Sequence, residues 1–109
     1  MMKTGDIVKI QTYCPKDSAD AVRLAIGKAG GGKIGDYIYC AFVSKGYGYF
    51  IPLEGSNPTI GKQGVIEKVE EVKIEFVCER SIVKTVVDAI KKAHPYEEVP
   101  IEIYALLVQ

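Results

Sequence analysis

The chain has 109 residues, of which 48% are hydrophobic and 26% charged, a composition that suits one globular domain over residues 1–109. Its 14 basic and 14 acidic residues give no net charge, which argues against a nucleic-acid-binding surface. No stretch approaches the roughly 18 apolar residues of a membrane span, and three cysteines without an apolar leader are typical of reduced thiols. We therefore expect a cytoplasmic protein that binds neither nucleic acid nor membrane.

The first predicted elements are a strand and a helix. Residues 7–14 alternate in polarity, as a half-buried strand does. Pro15 suits the first turn of a helix over residues 16–29, whose apolar residues recur at helical spacing. Gly30, Gly31 and Gly32 end that helix.

The middle of the chain predicts a hairpin and a loop. Residues 37–44 and 47–52 are rich in aromatic residues, with Lys45-Gly46 at the expected turn. Residues 54–64, EGSNPTIGKQG, have the composition of a loop.

A near copy of the first strand and helix begins 64 positions later, from Val8 to Val72. The two copies read VKIQTYCPKDSADAVRLAIGKAG and VKIEFVCERSIVKTVVDAIKKAH. The second copy predicts a strand over 72–78 and a helix over 81–93, with Ser81 as N-cap and with Ile74 and Ile90 in the core. A last strand follows over 99–108.

Two strand–helix units, each followed by a further strand, predict an α+β fold: a ferredoxin-like split βαβ sandwich with an extra β-hairpin. We expect the strands of the two copies to lie side by side and parallel. The face without helices should then be apolar and covered by other copies of the chain, as a homotrimer. The residues expected on it are Tyr13, Tyr37, Tyr39, Val77, Tyr104, Leu106 and Val108.

Two motifs carry a resemblance to a known family. HPYEEVPIEIYALL, from His94 to Leu107, resembles the ending HPYEEVAYDIYPL of the inserted domain of Nif-three-like (YqfO-type) proteins. The glycine-rich stretch from Gly30 to Gly64 resembles the same domain's GAGxIGxYxxCxFxxxGxGxFxPxxGxNPxIGxxG. That domain is CutA/P-II-like, so the resemblance implies a ferredoxin-like fold and trimeric packing. Tyr39 departs from it, since His is frequent at that place.

The resemblance implies less about function. The dinuclear metal centre ascribed to Nif-three-like proteins lies in two other domains, and their ligands are absent from these 109 residues. The chain is then expected to be a stand-alone relative of the inserted domain, without the metal-hydrolase activity.

His94, the only histidine, is followed closely by Tyr96, Glu97 and Glu98. These four residues are candidates for lining a polar pocket. Imidazole and carboxylate suit borderline divalent ions, so His94, Glu97 and Glu98 form a candidate metal site. The alternative is a helix stop with charged turn residues, because the spacing of structural zinc ligands is missing.

Glycines and cysteines give weaker candidates. By analogy with P-II trimers, GGGKIGDY, with Gly32 and Gly35, and EGSNPTIG are candidates for a ligand cleft between subunits. The alternative is turns that need positive φ. Cys14 and Cys78, at equivalent strand ends, are candidates for a redox or soft-metal pair, or else for packing.

No nucleophile–base motif is evident, so we expect a non-enzymatic, oligomeric ligand-binding or regulatory module with no certain cofactor. Two alternatives stay open. One is a divalent-metal-binding protein in the manner of CutA. The other is an accessory subunit that docks on a separate metal-dependent hydrolase.

Overall fold

The computed structural model describes residues 3–108, which form one four-stranded antiparallel sheet and two helices. The elements in chain order are β1 Lys3–Pro15, α1 Ala19–Lys28, β2 Phe42–Phe50, β3 Glu67–Glu79, α2 Val83–Ala93 and β4 Ile101–Val108. A short 3-10 turn, Lys16–Ser18 or Arg80–Ile82, leads into each helix. The sheet order is β2-β3-β1-β4, so the predicted α+β, ferredoxin-like class is confirmed. No helix in this described part is long and apolar enough to cross a membrane.

The two copies of the repeat meet at the centre of the sheet. Gln11 of β1 lies opposite Glu75 of β3, and these residues are equivalent in the two copies. An approximate two-fold axis, perpendicular to the sheet, therefore passes between them. Such an axis reverses the direction of the strands that it relates. The predicted parallel pairing is therefore wrong, and β1 and β3 are antiparallel.

The core lies between the helices and one face of β1 and β3. Ile74 and Ile90 are fully buried, which confirms their predicted places. The buried apolar residues are Val8, Ile10, Cys14, Val22, Ile26, Val72, Ile74, Phe76, Cys78, Val86 and Ile90. Ser81 is not the N-cap of α2, because Ile82 holds that position and no side chain caps the helix.

The predicted hairpin over residues 37–52 is wrong. Residues 42–50 form the single strand β2, in which Lys45 pairs with Val72 and Gly46 with Glu71. Gly46 is not among the glycines with positive φ, so it stays extended along β3 and makes no turn. Residues 37–41 precede the strand as a loop, and residues 51–66 connect β2 to β3.

The face without helices is polar at its centre, which corrects the expected apolar face. Glu75 lies 2.9 Å from Lys9 Nζ, and the Tyr13 hydroxyl donates to Glu102 at 2.7 Å. Of the residues expected on this face, Tyr37 and Tyr39 belong to the loop before β2, and the side chain of Val108 lies outside the described part. Within the sheet, the exposed large apolar residues lie on the two edge strands: Phe42, Val43, Tyr47 and Tyr49 of β2, and Ile103, Tyr104 and Leu107 of β4.

Candidate functional site

A cleft lies where β2 and β3 extend past the end of β1. The last pair between β1 and β3 joins Pro15 to Glu71, whereas residues 67–70 of β3 pair with β2 alone. Residues 51–60, which we call the 51–60 loop, and residues 94–99, the HPYEEV segment, border this extension. Together they border an open cleft of about 520 Å3. Its lining includes Gly48, Tyr49, Phe50, Ile51, Pro52, Leu53, Ser56, Pro58, Thr59, Ile60, Glu71, Tyr96, Glu97, Glu98 and Pro100.

His94 supports the cleft from behind. Its side chain is buried, with 6% of the residue exposed. The ring nitrogen Nε2 lies 2.6 Å from the Tyr13 carbonyl oxygen, and Nδ1 accepts a hydrogen bond from the Tyr96 backbone N–H at 3.1 Å. Because a carbonyl only accepts, Nε2 carries the proton and Nδ1 does not. Through its two ring nitrogens, His94 therefore ties the HPYEEV segment to β1.

Tyr96 places its hydroxyl on a carboxylate of β3. The hydroxyl donates to Glu71 Oε2 at 2.6 Å, and the ring meets the edge of Phe50 at a centroid distance of 6.1 Å. Burial and the hydrogen bond to Glu71 both raise the pKa of Tyr96 above its ordinary value. The hydroxyl thus stays neutral and fixes the orientation of the Glu71 carboxylate.

Two hydrogen-bonding contacts join the loops that border the cleft. Both carboxylate oxygens of Glu97 accept from the Asn57 backbone N–H, at 3.1 and 3.2 Å. The Thr59 hydroxyl donates to the Pro95 carbonyl at 2.7 Å. The HPYEEV segment and the 51–60 loop are therefore held together by the chain itself.

The structure brings together only some of the predicted site residues. Tyr96, Glu97 and Glu98 line the cleft, and His94 lies behind Tyr96. Gly32 does not line it: its N–H donates to the Val77 carbonyl, at the other end of β3 from Glu71. These positions are six residues apart along the strand, a distance of about 20 Å at 3.3 Å per residue. Gly35 lies in the tight turn beyond Gly32 and has positive φ, as the turn interpretation expects.

The candidate metal ligands are not arranged as a metal site. Within residues 3–108, no three His, Cys, Asp or Glu side chains are grouped to hold an ion. Both nitrogens of His94 already bond to the backbone, and Glu97 bonds to Asn57. A metal on His94, Glu97 and Glu98 would have to replace these bonds, so this site stays a prediction.

The proposed cysteine pair is wrong, because the strands are antiparallel. Cys14 lies opposite Val72 and Cys78 lies opposite Val8, about 20 Å apart along β1. Both thiols are free and buried. Burial raises the pKa of Cys14 to about 11 and also raises that of Cys78, so both act as small apolar side chains.

Sequence reasoning missed Glu71 and the β2 wall of the cleft. Glu71 lies 25 positions before Tyr96, and no motif joins them. Only the register of β2 and β3, in which Gly46 lies opposite Glu71, brings the carboxylate to this place. The composition of the 51–60 loop did indicate a loop, and half of EGSNPTIG lines the cleft: Ser56, Pro58, Thr59 and Ile60.

Comparison with known structures places the fold among the CutA-like proteins. CutA1 from the psychrotrophic bacterium Shewanella sp. SIB1 superposes with a TM-score of 0.70 at 16% identity, covering 98% of this chain and 87% of that one. A Bacillus cereus protein related to NIF3 superposes with a TM-score of 0.80 at 42% identity, covering 92% of this chain and 25% of that one.

The sequence comparison agrees. The chain is 48% identical over 101 residues to a GTP cyclohydrolase 1 type 2 homolog of Bacillus subtilis, covering 93% of this chain and 27% of the relative. It is thus homologous to a segment of the NIF3-related GTP cyclohydrolase 1 type 2 homologs, as the motifs predict. The chain spans about a quarter of the length of these relatives. No protein-family model matches it.

Proposed function

We propose that this chain is a non-enzymatic ligand-binding or regulatory module that assembles as a homotrimer in the cytoplasm. The observation that carries the proposal is the cleft between the 51–60 loop and the HPYEEV segment. Its volume of about 520 Å3 lies within the range of small-molecule sites, and its walls are mostly apolar with a few fixed polar groups. Such a composition is typical of binding sites.

The polar groups of the cleft support binding rather than bond-making chemistry. The Tyr96 hydroxyl is a neutral donor to Glu71, and Glu97 accepts from the backbone of Asn57. His94, the usual choice for a general base, lies behind the cleft with both ring nitrogens bonded to the backbone. These hydrogen bonds fix the shape of the cleft, as a regulatory binding site requires.

The edges of the sheet support assembly. β2 and β4 are the edge strands, and both expose large apolar side chains. An exposed apolar edge is a site for pairing with another chain. Contact between the β2 edge of one copy and the β4 edge of the next is head-to-tail, and such contacts form a ring when the rotation between copies closes. Three copies is the number proposed on the likeness to CutA. The free thiols support a reducing compartment.

Native mass spectrometry of the untreated protein tests this function. The expected result is the mass of three chains, with an additional small-molecule mass that is lost on denaturation. A monomer without bound mass, at micromolar concentration, would contradict both parts of the proposal. Zinc or another divalent ion at one per chain, lost on substitution of Glu98 by Gln, would favour the metal-binding alternative with His94 and Glu97.

A second candidate function is docking on a separate enzyme. The loop before β2 exposes Ile34, Tyr37 and Ile38, with 73% of Tyr37 exposed. The Cys40 N–H donates to the Gly32 carbonyl at 2.8 Å and fixes the base of this loop. The relatives carry the homologous segment within chains about four times as long, which favours a protein neighbour. Co-purification of a large protein that is lost on substitution of Tyr37 by Ser would support docking.

A further inference from the structure

The charged side chains that line the cleft are all acidic. Three carboxylates line it, those of Glu71, Glu97 and Glu98. None of the described residues that line it is Lys, Arg or His. Since the whole chain is electrically neutral, this local excess of negative charge is a property of the cleft. Apolar walls strengthen the field of such charges, because they lower the local dielectric.

Glu71 is the carboxylate with an open hydrogen-bonding position. Its Oε2 accepts from the Tyr96 hydroxyl, whereas its Oε1 receives no hydrogen bond from any described residue. No side-chain oxygen in this part is both buried and without a partner, so Oε1 keeps contact with solvent. The side chain lies directly over Gly48, where a Cβ atom would collide with Oε1. The absence of a side chain at Gly48 thus leaves room for the carboxylate at the wall of the cleft.

Two aromatic rings line the cleft together with this carboxylate. Tyr96 and Phe50 meet edge to face, and both line the cleft with Glu71. Aromatic faces attract cations, and apolar walls attract the organic part of a ligand. An anion would meet three carboxylates and no basic side chain among the described lining residues, and an inorganic cation would bury none of the apolar surface that the walls offer.

We propose that the cleft binds a small amphipathic organic ammonium ion, with the ammonium on Glu71 Oε1 and the apolar body between the aromatic pair and the 51–60 loop. This inference rests on the proposed ligand-binding function and names the class of ligand. A free small amine is the occupant, because the volume of about 520 Å3 suits a molecule of that size.

The test compares three probes that share a phenyl body and differ in charge: phenethylammonium, 2-phenylethanol and phenylacetate. Each is titrated into the full chain in 0.15 M salt, and backbone amide shifts are followed by NMR. Glu71→Gln removes the proposed partner. Glu70→Gln is the matched control, because the neighbouring strand residue points to the opposite face.

The expected result is that phenethylammonium shifts the amides of residues 48–60 and 96–98 and binds about tenfold more tightly than the alcohol, with no binding of phenylacetate. Glu71→Gln should remove this advantage, and Glu70→Gln should leave it. Equal binding of the alcohol would overturn the ammonium inference while the ligand-binding function stands. The inference would also be overturned if both variants lost the tighter binding of phenethylammonium equally, or if the chain preferred phenylacetate. Absence of cleft shifts with all three probes would contradict the ligand-binding function as well. If Glu71→Gln does not fold, the three probes on the unaltered chain decide the question.

Discussion

His94 should be a main source of stability at the HPYEEV segment, and His94→Ala measures it. The substitution removes two hydrogen bonds, to the Tyr13 carbonyl and from the Tyr96 N–H, each worth about 1 kcal/mol. It also leaves polar groups of the backbone unpaired and a void behind the cleft, which add about 1–2 kcal/mol. We therefore expect a loss of about 3 kcal/mol in the free energy of unfolding.

Two further substitutions, His94→Gln and His94→Asn, test the two hydrogen bonds separately. In His94→Gln, the side-chain amide nitrogen reaches the position of Nε2 and donates to the Tyr13 carbonyl. In His94→Asn, the side-chain carbonyl reaches the position of Nδ1 and accepts from the Tyr96 N–H. Each should recover about 1 kcal/mol relative to alanine. Urea unfolding at a fixed chain concentration gives the values, since assembly makes stability depend on concentration. A loss below about 0.5 kcal/mol for alanine, or no recovery with either amide, would refute the structural role of the ring.

Three further predictions concern the core, the edge strand β4 and the face of the sheet without helices. Ile90→Ala should cost about 2–5 kcal/mol in urea unfolding, while the exposed neighbour Lys91→Ala should cost under about 0.5 kcal/mol. Tyr104→Asp should shift the proposed trimer toward monomers in light scattering, because a charge would be buried at the β4 edge; an unchanged mass would contradict the edge contact. The hydrogen bond to Glu102 raises the pKa of Tyr13 to about 12 from 10.0, so neutral Tyr13 adds stability below about pH 10 that is lost as pH rises through 12. The urea midpoint should thus fall more steeply above pH 10 in the native chain than in Tyr13→Phe; equal slopes would refute this.

The local elements could be predicted because their signals are local. The alternation of β1 and the helical spacing of Val86 and Ile90 are visible within one turn or one strand, and both are confirmed. The direction of the paired strands is not a local property, since it depends on the symmetry that relates the copies. At Gly46 a local signal gave the wrong prediction. A glycine beside aromatic residues resembles a turn, but a continuous partner strand keeps it extended.

The HPYEEV segment was visible because its residues are adjacent in sequence, and Tyr96, Glu97 and Glu98 do share the cleft. Its partner Glu71 could not be found in the same way, because it reaches Tyr96 only through the register of a distant strand. The analogy with P-II trimers placed Gly32 at a ligand cleft between subunits. Within one chain Gly32 lies near Val77, at the opposite end of β3 from Glu71, so its place in a cleft between subunits stays a prediction.

The axis between Gln11 and Glu75 has a consequence for how such a chain can evolve. A residue on a two-fold axis faces its own counterpart, so two identical subunits would set Gln against Gln or Glu against Glu. Opposed carboxylates repel, and opposed amides would leave the equivalent residues Lys9 and Lys73 without a counter-ion. Fusion of the copies into one polypeptide lets the two positions differ. Glu75 lies 2.9 Å from one lysine and 3.8 Å from the other, and Gln11 donates to it. Duplication within a single gene thus permits one carboxylate to act as counter-ion to lysines of both halves, an asymmetry that a homodimer could not acquire by mutation.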